Sequence, residues 1–284
     1  MSAEVNKRGV VLTLLILSSI CYILYSNSDE IQSDSAIQVD ALSMIKAKQK
    51  LDKLGPELAD NEKDEVDPEI GLDVEYVEDF VLIDGINVFY SYAMSTVKNQ
   101  PPPRFAVLLL HGAAYEANTW KSLGTLQFLA KSGYFPIAVD LPGFGKTKAD
   151  KRIDHEDAFL SKLIKALPQT DRPVIICPSM SGRYALPFMF KHRAELRGIV
   201  PIAPINGNHY KKEEYEQLHI PALIYYGSLD EHGAKTSNLM AHIPGSRIVE
   251  VPNGMHPAYL DDLILFHTEV KNFLDNVYKK EMAS

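Results

Sequence analysis

The chain has 284 residues, 46% hydrophobic and 23% charged, an ordinary globular balance with length for one large α/β domain and a short extension. Its formal net charge of −8 is unevenly placed: residues 29–71 carry twelve acidic residues against five lysines, so the remainder is nearly neutral and no basic face points to nucleic acid. Of the two cysteines, Cys21 falls in an apolar N-terminal run and Cys177 in the body of the chain, which argues against a disulfide between them.

Residues 9–25 form an uncharged apolar run that spans roughly 26 Å as a helix, close to the thickness of a thin bilayer. Lys7 and Arg8 precede it, and Asp29 and Glu30 follow. The positive-inside bias then predicts a type II signal-anchor: a cytoplasmic tip and span over 1–28, with the rest lumenal in the endoplasmic reticulum or Golgi. A cleaved signal peptide is the competing reading, because Ser26 and Ser28 can occupy the −3 and −1 positions. Residues 29–71 read as an acidic, solvated stalk, with a short amphipathic helix over 40–54 carrying Leu42, Ile45, Leu51 and Leu54.

The pattern changes at Val74, and a catalytic domain is predicted over 72–284. The runs VEYVEDFVLI and INVFYSYA flank Asp84-Gly85, a strong two-residue hairpin signal. FAVLLLH (105–111) is continuously apolar, as suits a strand buried on both faces of a parallel sheet. Trp120, Leu123, Leu126, Phe128 and Leu129 recur at helical spacing and predict a helix ending at Gly133. Strands follow at 135–140, 172–178, 196–203, 221–227 and 246–252, and helices at 155–167, 181–192 and 261–279. This alternation predicts an α/β fold: a mostly parallel sheet with helices on both faces and functional residues at the carboxyl ends of its strands.

One strand end carries the chemistry. Strand 172–177 runs into Cys177-Pro178-Ser179-Met180-Ser181-Gly182, and a helix follows, the context a nucleophile elbow requires. Such a turn lifts a serine above the sheet edge and needs small residues two places before and after it, here Cys177 and Ser181 instead of glycines. Ser179 is therefore the predicted nucleophile. Its rival Ser181 would have the bulky Arg183 two places after it, and Cys177 sits at the end of a buried strand as a small packing residue. Asp230 follows strand 221–227 as the predicted acid, with Glu231 the nearest substitute, and His256 lies between the last strand and the last helix as the predicted base. Asp261 and Asp262 read as charges at the N-terminus of the final helix. His111-Gly112-Ala113-Ala114 ends strand 105–110 as an oxyanion loop, which assigns the backbone N–H groups of Ala113 and Met180 as donors and leaves His111 a structural residue.

HGAAYEANTW, DLPGFGKTK, CPSMSGRYALPF, PIAPI, YYGSLD and GMHPAYLD together carry a resemblance. The sequence resembles the alpha/beta-hydrolase domain-containing protein 14 family, and within it the type with an N-terminal anchor; soluble relatives are similar over residues 76–280. The resemblance implies that nucleophile, acid and base are Ser179, Asp230 and His256, with Cys177 and Ser181 matching a relaxed elbow, and that activity is toward small esters and acetyl groups. Only residues 204–220 separate the strands between which a cap domain inserts in this fold, so a lidless site for short acyl groups or an acylated side chain is expected. The alternative is a catalytically silent scaffold or protein-binding module on the same fold. No metal-ligand spacing or phosphate-cradling loop is present, so neither metal nor cofactor is expected, and a serine nucleophile excludes the dehalogenase and epoxide-hydrolase chemistries that need an aspartate.

Overall fold

The computed structural model describes residues 74–148 and 153–283. The expected span at 9–25, the stalk at 29–71 and its helix at 40–54 lie outside these residues; among the described residues no helix is long and apolar enough to cross a membrane. The chain opens with the predicted hairpin, β1 (Val74–Ile83) and β2 (Ile86–Ser95), paired antiparallel in unbroken register. Asp84 and Gly85 both have positive φ, 50° and 84°, the geometry of a two-residue turn whose twist matches the strands it joins.

Six shorter strands complete one eight-stranded sheet: β3 (Ala106–Leu109), β4 (Phe135–Val139), β5 (Val174–Pro178), β6 (Gly198–Ile202), β7 (Leu223–Gly227) and β8 (Arg247–Val251). The order is β1-β2-β4-β3-β5-β6-β7-β8, antiparallel at the β1–β2 and β2–β4 pairs and parallel elsewhere. Their continuous apolar runs follow from burial on two faces. Leu108, Ile137, Ile175 and Ile224 point into one core, while Val107, Leu109, Ala138, Ile176 and Val200 point into the other. The first core is covered by α3 (Glu156–Ala166), α4 (Gly182–Lys191) and α6 (Glu231–Met240) through Phe159, Leu163, Phe188 and Met240. The second is covered by α1 (Ala117–Ser122), α2 (Thr125–Lys131) and α7 (Leu263–Met282) through Trp120, Leu129, Phe266 and Leu274. Each large side chain so buried contributes roughly 1.5–3 kcal/mol relative to exposure.

The single helix expected to end at Gly133 is two. Gly124, at φ 69°, takes a left-handed turn after Leu123, which ends α1 and starts α2 while keeping Trp120, Leu126 and Leu129 on one core. The segment between β6 and β7, residues 203–222, holds a 3-10 turn at Gly207–His209 and the five-residue α5 (Lys212–Glu216), far short of a cap domain. The Tyr215 hydroxyl donates to Gly207 O at 2.7 Å and folds this segment back on itself.

Register decides where the strands finish. Pro178 pairs with Ile202, Ile202 with Tyr225, and Gly227 with Val251, so the carboxyl ends of β5, β6, β7 and β8 share one edge. At that edge the start of α4 touches the loop after β6: a Cβ on Gly182 would stand 2.7 Å from both Ile205 O and Pro204 Cβ. Neither neighbour is the free end of a flexible side chain. Gly182→Ala is therefore expected to lower stability by about 1–3 kcal/mol, read as a shifted urea midpoint with an unchanged m-value.

Candidate active site

Ser179 follows β5 directly and opens a 3-10 turn, Ser179–Ser181, that leads into α4. Its φ of 47° lies in the left-handed region, strained for a residue with a Cβ. The strand, turn and helix thus throw its hydroxyl out at the sheet edge. Cys177 and Ser181 are fully buried beneath it. Ser181 Oγ donates to Pro178 O at 2.8 Å, so this second serine ties the turn together. Burial pushes the Cys177 thiol far up from its ordinary range, and the side chain packs in the first core. Arg183 turns away to an ion pair with Glu156 of α3 at 2.6 Å.

The structure places Ser179, His256 and Asp230 in one hydrogen-bonded line. His256 Nδ1 lies 2.6 Å from Asp230 Oδ2, and Nε2 lies 2.8 Å from Ser179 Oγ. A carboxylate only accepts, so Nδ1 carries the hydrogen; in the neutral ring Nε2 is then the acceptor and the Ser179 hydroxyl donates to it. All three residues are buried. Asp230 is also the N-cap of α6, accepting from Gly233 N at 2.9 Å through its other oxygen. Burial raises its carboxyl, but the hydrogen bond and charge of His256, the Gly233 N–H and the charge of His232 outweigh this and hold it below the ordinary aspartate value. Glu231 is the exposed first residue of α6.

The loop that carries His256 crosses the end of β7 at backbone contact. A Cβ on Gly227 would overlap the Gly254 carbonyl and Met255 O, and one on Gly254 would stand 3.0 Å from Gly227 Cα. Asp261 braces the same loop, accepting from Met255 N at 2.6 Å. Asp261 thus does more than stand as a charge before the last helix. Asp262 alone caps α7, accepting from Leu265 N at 2.8 Å.

Ala113, expected to be an oxyanion donor, lines an open pocket together with Ser179 and His256. Met180 is buried directly after Ser179. His111 has both ring nitrogens engaged: Nδ1 donates to Gly112 O at 2.9 Å and Nε2 accepts from Leu141 N at 3.0 Å. Burial holds its pKa below the ordinary histidine value, which keeps it neutral and in a structural position. The sequence reading missed Asp140. Only 2% exposed, it accepts from Ala117 N at 2.6 Å and from Lys146 N at 2.7 Å, pinning the loop after β3 to the loop after β4. Its place at the end of a buried strand, before the turn residues PGFG, was the available signal. Among the described residues no three His, Cys, Asp or Glu side chains gather to hold a metal ion.

Eight strands in this order, a strained serine elbow and a histidine beyond the last strand are those of an α/β-hydrolase. A model of the alpha/beta hydrolase family matches residues 107–210. Protein ABHD14A of Rattus norvegicus is 39% identical over 181 residues, covering 63% of this chain and 75% of that protein. The Rattus norvegicus protein named "Putative protein-lysine deacylase ABHD14B" is 36% identical over 209 residues, 72% of this chain and 98% of its own length. The chain belongs to the ABHD14 family of α/β-hydrolases. Among solved structures, a CIB-like hydrolase of Thermoplasma acidophilum superposes with a TM-score of 0.63 at 24% identity, covering 72% of this chain and 99% of that one, a likeness of fold.

Two histidines, His111 buried and His267 half-buried, set the response to acid. Burial holds His111 below its ordinary value of 6.5 and pushes His267, stacked on Phe128, down to about 4. A folded pKa below the unfolded one gives stability that is complete above 6.5 and lost as pH falls toward the folded value. The carboxyls of Asp230, Asp157 and Asp275, held below 3.8, add their loss only under that value. The unfolding free energy read from urea titrations is therefore expected to be level from pH 8 to 7 and to fall as pH drops to 5.5, with His267 contributing roughly 1 kcal/mol of that fall. In His267→Gln this slope should be shallower; an unchanged slope would remove His267 from the account.

Proposed function

We propose that the protein is a serine hydrolase that removes short acyl groups from esters, thioesters or amides, acylated side chains such as acyl-lysine among them. The observation that carries this reading is the unbroken line from the strained Ser179 hydroxyl through His256 to a buried carboxylate. Two further supports are the connection between β6 and β7, too short to hold a cap domain, and the name of the relative ABHD14B.

In this mechanism His256 Nε2 takes the Ser179 proton as Oγ bonds to the substrate carbonyl carbon. The carbonyl π pair moves onto oxygen, where the backbone N–H groups of Ala113 and Met180 receive it. Collapse of the tetrahedral species breaks the bond to the leaving group, which departs with the proton from His256. Water then attacks the acyl-Ser179 ester, gives its proton to His256, and Ser179 leaves with that proton restored. Asp230 keeps the Nδ1–H tautomer throughout and stabilises the transient imidazolium.

With the full-length chain, a fluorophosphonate probe is expected to label Ser179, located by mass spectrometry, and labelling should vanish in Ser179→Ala and His256→Ala. A folded wild type that takes no label would move the weight to a silent scaffold. Asp230→Asn separates the two duties of that residue, because asparagine is as good an N-cap but carries no charge. Its melting temperature should stay near wild type while kcat drops by about 10³–10⁴.

A further inference from the structure

The pocket beside Ser179 has an aromatic end. Tyr115 and Tyr259 both line it, with ring centroids 6.3 Å apart and planes at 70°, an edge-to-face pair. A methyl group placed on Gly112 would touch Tyr115 Cδ2 at 3.5 Å and Ser179 Cβ at 3.6 Å, so one such group bridges the nucleophile and the tyrosine ring. Both tyrosines are buried. Tyr115 N donates to Gly112 O at 3.1 Å, which closes a tight turn in the loop after β3. Tyr259 is stacked on Trp120 at 5.0 Å and packed on Phe266 at 5.7 Å. The rest of the wall is apolar, Ala113, Ala114, Ile202 and Pro257 included, and His256 is its only side chain able to carry positive charge.

On the hydrolase reading above, the carbonyl oxygen lies against Ala113 and Met180, so the carbon chain on that carbonyl must enter the adjoining pocket. A leaving group attached to a macromolecule has to remain outside. We propose that the Tyr115–Tyr259 pair is the specificity wall of the acyl site. It restricts the acyl group to short, neutral chains such as acetyl to butanoyl, and it refuses acyl groups that end in a carboxylate, such as succinyl. Length is limited because a longer chain meets a ring backed by Trp120. Charge is refused because a buried carboxylate would find no cation there.

The test uses full-length protein and p-nitrophenyl esters, whose common leaving group isolates the acyl side. For the wild type, kcat/KM should fall by about tenfold or more from butanoate to octanoate. The mono-p-nitrophenyl ester of succinate should be cleaved about a hundredfold more slowly than the butanoate. Tyr115→Ala should raise the octanoate-to-acetate ratio by about tenfold, while Tyr115→Phe, which keeps the ring, leaves it unchanged. Fluorophosphonate labelling of Ser179 runs beside every variant. A labelled Tyr115→Ala with the wild-type chain-length profile overturns the specificity wall and leaves the hydrolase reading standing. A labelled wild type that accepts succinate equally does the same, and one that prefers octanoate overturns both the wall and the short-acyl part of the proposed function while leaving a serine hydrolase. Absence of labelling in the wild type overturns the wall and the hydrolase reading together. Should Tyr115→Ala fail to fold, the wild-type comparison of succinate with butanoate still decides.

Discussion

The φ of 47° at Ser179 is the conformation around which this end of the sheet is arranged. A non-glycine residue held there costs about 1–3 kcal/mol and persists only where its neighbours leave no alternative. Here they leave none. The β5 ladder fixes the chain as far as Pro178, which pairs with Ile202. Ser181 then bonds back to Pro178 O, and Ile205 N donates to Ser179 O at 3.0 Å. Gly182 lets the loop after β6 approach to a distance that a side chain would forbid. Strain at one residue is thus spread over three contacts on two connections.

The same logic governs the partners of Ser179, each of which arrives on a different loop. His256 hangs from a loop seated on bare backbone at Gly227 and Gly254 and tied by Asp261. Asp230 is immobilised because one oxygen caps α6, so only the other is left for the imidazole. The loop bearing Ala113 is tied at one end by His111 to Leu141 and at the other by Asp140 to Ala117. Apart from the Gly227–Gly254 contact, each of these clamps bonds a side chain to a backbone N–H. Such bonds fix the position of the chain itself, which a contact between two flexible side chains does not.

Much of this was legible in the residues and part was not. Strands buried on both faces announce themselves as apolar runs, since alternate residues feed opposite cores and neither face admits a polar group. Ser179, Asp230 and His256 stand out because each lies just past a strand end, and order along the chain supplies the rest. The break at Gly124 was hidden because apolar spacing continues across it: Trp120 and Leu126 face one core from two different helices. Gly182 and Gly227 were hidden for another reason. Their requirement is set by residues 23 and 27 positions away, and a sequence pattern read locally carries no such distance.

Asp140 and Asp261 show the limit most clearly, because both sit where a charge has a simpler meaning. An aspartate before a helix reads as a favourable charge at its N-terminus, and Asp262 fills that place. Asp261, one residue earlier, faces back to Met255. The two differ only in which backbone N–H each can reach, and that depends on the 3-10 turn Ala258–Leu260 reversing the chain between His256 and α7. The same turn delivers Tyr259 to the pocket wall and stacks it on Trp120. One reversal therefore places the imidazole, its brace and the aromatic end of the pocket together. The base of the hydrogen-bonded line and one wall of the pocket thus come from a single connection.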